Sequence, residues 1–256
     1  MTSEGAVADV IQIEQYLEQG GVLSAPDNAP ARYRGELMRL MSSFVDSELA
    51  ASAGFANAIN HAPGIKERIA ASRITLEKAD HAERVLKVME TFGTDIQRYQ
   101  RQHDWAARVA RDAEVGAARQ AGDMRLSVFH YPIAGWTDAV VMNVLQGLAT
   151  GVQMRELTAV SYGPLADVFR EIAPRETRHA ELGFEGLERI VMTPEGKAEA
   201  EVALSYWRPR VAAGFGAANS SRFATLKKFG LRHSPNEELL GRWEAQLADR
   251  LSTIGL

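Results

Sequence analysis

The sequence predicts an all-α protein, a four-helix bundle with additional peripheral helices, and three observations predict it. Apolar residues recur at steps of three and four along four long stretches, the period of a helix with one face buried. No stretch alternates apolar and polar residues as a half-buried strand does. Glu, His and Lys stand on those stripes at positions where a bundle expects leucine, and bundles build sites from inward-facing residues of this kind.

Taken in order, VADVIQIEQYLEQGG reads as an amphipathic peripheral helix ended by Gly20 and Gly21, and Pro26 and Pro30 mark a loop. The first core helix spans about 31–61, with Leu37, Met41, Phe44, Glu48, Ala51 and Phe55 on one stripe, and the APG at Ala62 to Gly64 breaks it. The second spans about 65–92 and carries Ile74, Lys78, His81, Val85, Val88 and Phe92 in the same register. Residues 94–122 are polar and helical-looking, a solvated peripheral excursion. After a bend at His130, Tyr131 and Pro132, the third core helix spans about 136–160 with Val140, Val144, Gly147, Gly151 and Met154 in line. The SYGP turn leads to the fourth, about 164–192, in which Pro174 must bend or interrupt the helix. Thr193 and Pro194 open a further helix, and Ser234 caps a last amphipathic one. All of this is one domain, 1–256.

In the fourth core helix Glu176 and His179 lie three apart and share a stripe with Phe169, Ile172 and Gly183. Two such Glu-x-x-His units plus a carboxylate from each remaining helix make a dinuclear centre. The turn near Pro63 puts Glu48 about fifteen residues before it and Lys78 about fifteen after, so at a rise of about 1.5 Å per residue the two face each other. The equivalent count from the SYGP turn sets Gly147 to Thr150 opposite Glu176, where no carboxylate stands. The expected layer is therefore Glu48, Lys78, His81, Gly147, Glu176 and His179. An ammonium there opposes a dication and neutralises two carboxylates, so the reading is a metal-free Glu48–Lys78–Glu176 cluster. A weak metal site on Glu48, His81, Glu176 and His179, or a dinuclear centre completed by water or Gln146, stands as the alternative. Glu77 reaches the layer only if its helix turns by about 100°. His61, His103, His130 and His233 read as turn or surface residues, Gly147 and Gly151 as close helix contacts, and Arg155, Arg170, Arg175 and Arg178 as a solvated face.

Composition narrows the function. A net charge of −4 with no basic tract excludes a nucleic-acid reading, and no apolar run is long enough for a membrane span. The absence of cysteine excludes disulfides, thiolate ligands and a Cys nucleophile, leaving His and carboxylates to hold any Fe, Mn or Zn. The N-terminal MTSEGAVADV lacks a signal-peptide pattern, so a cytoplasmic protein is expected.

VFHYPIAGW, SYGP, the Glu-x-x-His helix, TPEGKAEAEVAL, Trp207, Pro209 and the FG at Phe215 together resemble the catalytic A-subunit family of bacterial phenylacetyl-CoA epoxidase, from about Arg39 to Leu256. That resemblance implies a ferritin-like fold and a diiron monooxygenase that epoxidises the ring of an aromatic CoA thioester. It also implies that the partner is a related metal-free subunit, and that a reductase supplies electrons. Carried over, the family's ligands match at Glu48, His81, Glu176 and His179, and fail where Lys78 and Gly147, or Gln146 with a shifted register, replace carboxylates. The C-terminal extension of that family is not matched beyond IGL. The expected protein is thus a ferritin-like subunit of aromatic acyl-CoA catabolism or a related oxygenase pathway, non-catalytic, without bound metal, and part of a homo- or hetero-oligomer. The alternative is an active iron monooxygenase on an acyl-CoA.

Overall fold

A computed structural model describes residues 12–115 and 122–256, and among these the chain is helical with no β-strand, only isolated bridge residues such as the Leu23–Tyr162 pair. Six long helices organise it: α1 (Ala31–Ala58), α2 (Ile65–Glu90), α3 (Trp136–Leu157), α4 (Gly163–Ile190), α5 (Pro194–Ala212) and α6 (Asn236–Ser252). The first four correspond to the four core helices read from the stripes. α1 pairs with α2, α3 with α4, and the two hairpins meet mainly through α2 and α4. This all-α arrangement is that of a ferritin-like bundle.

α3 is the most enclosed helix, because α5 and α6 cover the side that α4 leaves free. Its run from Asp138 to Leu145 is buried without a break, and Trp207 of α5 and Trp243 of α6 are both fully buried against it. Each indole N–H has an acceptor there, Asp138 Oδ1 at 2.8 Å for Trp207 and the Leu145 carbonyl at 3.0 Å for Trp243, so neither large ring buries an unpaired donor. At the opposite end of the bundle a second apolar cluster gathers Tyr33, Leu37, Met41, Leu165 and Phe169. The SYGP turn is anchored there: Ser161 Oγ donates to the Phe229 carbonyl at 2.5 Å, and Leu23 brackets the turn through Ser161 O and Gly163 N.

Several local expectations are corrected. Residues 94–122 do not form a peripheral helix: among the described ones only Ile96–Tyr99 is helical, and the rest turns irregularly. Nor is the segment merely solvated, because its arginines bind the bundle. Arg108 Nη2 donates to the Ala50 carbonyl at 2.7 Å, and Arg111 forms a two-pronged pair with Asp138 at 2.6 and 2.9 Å while stacking on Tyr206. Burial, helped by the Arg125 charge, pushes the Arg108 guanidinium down to about 10. Tertiary partners for long polar side chains replaced the helix that propensity favoured. Of the two outcomes expected at Pro174, interruption does not occur, because α4 runs through it. Thr193 does cap α5, accepting from Gly196 N at 3.1 Å, but Ser234 does not cap α6. That helix begins at Asn236, and the Ser234 N–H donates instead to Glu156 at 3.0 Å. The N-terminal helix is seen at 12–18, with Gly20 at positive φ ending it, and its earlier residues lie outside the described ones.

Candidate functional site

Glu48 on α1, Lys78 and His81 on α2, and Glu176 and His179 on α4 converge between the two hairpins, all buried. Lys78 Nζ lies 3.0 Å from Glu48 Oε1 and 3.0 and 3.1 Å from the two oxygens of Glu176. An ammonium has three protons, and two carboxylates take them. His81 Nδ1 sits between the same two groups, 3.1 Å from Glu48 Oε2 and 2.8 Å from Glu176 Oε1. Both neighbours are acceptors, so Nδ1 carries a hydrogen. His179 Nδ1 stands 3.5 Å from Glu176 Oε1, and the two imidazoles stack at 5.8 Å between centroids.

Local packing next to Glu48 holds α1 in place. Asp46 accepts from Tyr99 Oη at 2.8 Å and from Met124 N at 2.7 Å, and Ser47 Oγ accepts from Leu126 N at 3.0 Å. On α3, Asn143 donates to the His179 carbonyl at 2.9 Å, so the third helix supports the layer without sending a charge into it.

The electrostatics follow from one buried cation shared by two anions. Burial alone would push Glu176 up, but the Lys78 charge and the adjacent imidazoles of His179 and His81 hold it well below the ordinary carboxylate value. Burial likewise works to lower Lys78, and the charges of Glu176 and Glu48 outweigh it, so its pKa is raised. For His81 burial again opposes the charged form, while hydrogen bonds to Glu176 and Glu48 raise its pKa above the ordinary 6.5. Each shift favours the ionised cluster.

Glu77 was missed by face counting. It lies half-buried beside the layer without any turn of α2, and its Oε2 is 2.6 Å from His179 Nε2. A stem of three rotatable bonds reaches around the helix, which a face diagram of Cα positions does not register. Gly147 does not meet Glu176 but Ala180, one turn further along α4; an added Cβ would lie 2.9 Å from Ala180 Cβ and 3.0 Å from its Cα. It is a close helix contact. Gly151 has open space at its Cβ position and borders a groove between α3 and α4. Gln146 donates to Thr150 Oγ1 at 3.3 Å, and both line, with Glu48, a cleft of about 500 Å³. Phe44, Leu126 and Phe129 form apolar walls of that cleft, and Arg39, Arg222 and Arg232 also border it.

Two features of the layer bear on a dinuclear metal centre. The ammonium of Lys78 is already bonded to both carboxylates that a metal would use, and no carboxylate can enter at Gly147 without moving the Ala180 backbone. A single ion meets a partial donor set: one atom from each of Glu48, His81 and Glu176 lies within 4.8 Å of the others. Binding there would compete with the ammonium for both carboxylates, and His81 would ligate through a ring nitrogen that carries no hydrogen. Within the layer, His81 Nε2 and His179 Nδ1 have no hydrogen-bond partner among the described residues.

Comparison with known proteins agrees with the helical architecture. Residues 8–256 match the profile of the phenylacetic acid catabolic protein family. The chain is 25% identical to the A component of the 1,2-phenylacetyl-CoA epoxidase of Escherichia coli (strain K12), an alignment covering 96% of this chain and 75% of that relative. No helix among the described residues is long and apolar enough to cross a membrane.

Proposed function

The chain belongs to the phenylacetic acid catabolic protein family, and from that premise we propose that it is an epoxidase A-subunit-like ferritin-fold protein whose metal layer is held by a lysine ammonium. In this reading it acts in the cytoplasm as a non-catalytic, partner-binding or ligand-binding subunit in aromatic acyl-CoA catabolism or a related oxygenase pathway. The observation that carries it is Lys78 Nζ at 3.0 Å from Glu48 and from Glu176 at once. Hydrogen bonds from a fixed cation take the place of coordination, and Lys78 together with a protonated His81 balances the two carboxylates without a metal. The partner is a related ferritin-like subunit, in line with a relative that is itself one component of a larger enzyme.

An acyl-CoA is the ligand class that suits the cleft beside Glu48. Apolar walls suit an acyl group, and the guanidiniums of Arg39, Arg222 and Arg232 border the cleft where phosphates could be received. The second reading, an active iron monooxygenase supplied with electrons by a reductase component, is favoured by the compact donor set of Glu48, His81 and Glu176 with His179 beside it. Iron there would supply dioxygen activation, and this chain would contribute the cleft that positions the acyl group.

Metal content by mass spectrometry after anaerobic reconstitution with Fe(II), with Mn and Zn controls, separates the two. The expected result is near-zero metal in the wild-type protein and a clear gain in Lys78→Glu, which removes the cation and adds a carboxylate. Near two irons per wild-type chain, with oxygen consumption on aromatic acyl-CoA esters, would overturn the non-catalytic reading.

A further inference from the structure

α2 carries Lys78 and His81 inward, and its opposite face keeps large apolar side chains in solvent. Ile65, Ile69 and Leu76 are 79%, 57% and 71% exposed. With Ser72 and Ala79, also exposed, they follow steps of four, three, four and three, the seam of a heptad repeat. The seam lies across the helix from the buried Ala71, Ile74, Lys78 and His81. Lys66 and Arg73 border it on one side and Arg68 on the other, all exposed and in no ion pair among the described residues. Glu67, by contrast, turns toward the bundle and pairs with Arg189.

We propose that this stripe docks an amphipathic helix of a partner protein, one with apolar residues at three-and-four spacing and carboxylates on its flanks. The charges decide against a second copy of this chain. In an antiparallel pair the two Arg73 side chains would face each other at the centre, and in a parallel pair Arg68 of one copy would face Arg73 of the other. Like charges at those positions oppose both pairings. An anionic lipid surface is disfavoured because the same line continues past Leu76 to the exposed Glu83, which would press against headgroups. A helix with flanking carboxylates pairs all three cations and covers about three turns of apolar seam. Such a partner would sit directly behind the Glu48–Lys78–Glu176 layer, separated from it by the thickness of α2.

The proposal rests on the multi-subunit reading above and specifies the contact face. A synthetic probe tests the face without the natural partner, so its failure counts against the face alone and leaves the multi-subunit reading standing.

The probe is a fluorescein-labelled helical peptide of about three heptads with Leu and Ile at the seam positions and Glu at the flanks, alongside a Lys-flanked counterpart. Binding to the full chain is followed by anisotropy at low and high salt, with thermal unfolding to confirm that each variant is folded. Saturable binding of the Glu-flanked peptide is expected, weakened at least about tenfold by Ile69→Asp and by Leu76→Asp, and reversed toward the Lys-flanked peptide in the Arg68→Glu/Arg73→Glu variant. No saturable binding, equal binding of both peptides, or indifference to Ile69→Asp overturns the proposal. So does a wild-type dimer that Leu76→Asp dissociates, which assigns the face to a second copy. Leu76-dependent binding to phosphatidylglycerol vesicles would assign it to lipid and overturn the proposal equally.

Discussion

Replacing Lys78 by Met keeps the volume of the side chain and removes only the charge that Glu48 and Glu176 share. Both carboxylates are buried, with side chains 6% and 2% exposed, so water cannot replace the lost ammonium. Breaking a buried ion pair from one side costs about 3–5 kcal/mol. The variant can limit that cost by taking up a proton on one carboxylate. For a glutamate of ordinary pKa 4.5 this costs about 3 kcal/mol at pH 7 but only about 1 kcal/mol at pH 5, at about 1.36 kcal/mol per unit. His81, already hydrogen-bonded to both carboxylates, trims the penalty further when protonated. The expected destabilisation is therefore about 3–4 kcal/mol at pH 7, falling to about 1 kcal/mol at pH 5. Urea unfolding at both pH values measures it, with an unchanged m-value as the check that the unfolded state is unaltered. A loss below about 1 kcal/mol at pH 7, or the same loss at pH 5, would refute the claim that Lys78 is what neutralises the two glutamates.

Wild-type stability should peak between the ordinary values of Glu176, 4.5, and His81, 6.5. The Glu176 pKa is depressed in the fold, so its contribution is complete above 4.5 and disappears as the pH falls through the folded value; the His81 pKa is raised, so its contribution is complete below 6.5 and disappears as the pH rises through the folded value. Unfolding curves from pH 3 to 9 test this, and His81→Gln should flatten the alkaline slope. Gly147→Ala, whose Cβ would meet Ala180 at 2.9 Å, should destabilise by about 1–3 kcal/mol by forcing α3 from α4; an unchanged melting temperature would mean that the helices part freely. Asp138→Ala removes the acceptor shared by Arg111, Ala134 N and Trp207 and should cost about 3–5 kcal/mol, with faster proteolysis of the segment around Arg111 as a second readout.

Which residues face inward was written in the local pattern. Glu48, Lys78, His81, Glu176 and His179 sit on stripes of period three to four, and burial of a stripe is a property that each helix carries alone. Turn positions added height, because a helical hairpin converts residue count into distance at a constant rise. That is why the meeting of Lys78 with Glu48 and Glu176 could be read before any coordinate. The third helix defeated the same count. Its partner at Gly147 is Ala180, since the offset between α3 and α4 depends on how the SYGP turn is held by Leu23, Phe229 and Gly230, residues distant in sequence.

The remaining features needed the assembled fold for equally specific reasons. Residues 94–115 have helix-forming composition, but Arg108 and Arg111 find Ala50 and Asp138, and those long-range contacts replace the helix expected after Tyr99. Glu77 reaches His179 because a flexible stem spans from the edge of one helix to its neighbour. Ser234 gives its backbone N–H to Glu156 and leaves the last helix to start two residues on. The sequence by itself determined the helices, their inward faces and the chemical character of the central layer, because periodicity and hydrophobic burial act within each segment. Only the tertiary structure decided helix offset, side-chain reach and the path of the irregular segment, because each is set by contacts between residues far apart in the chain.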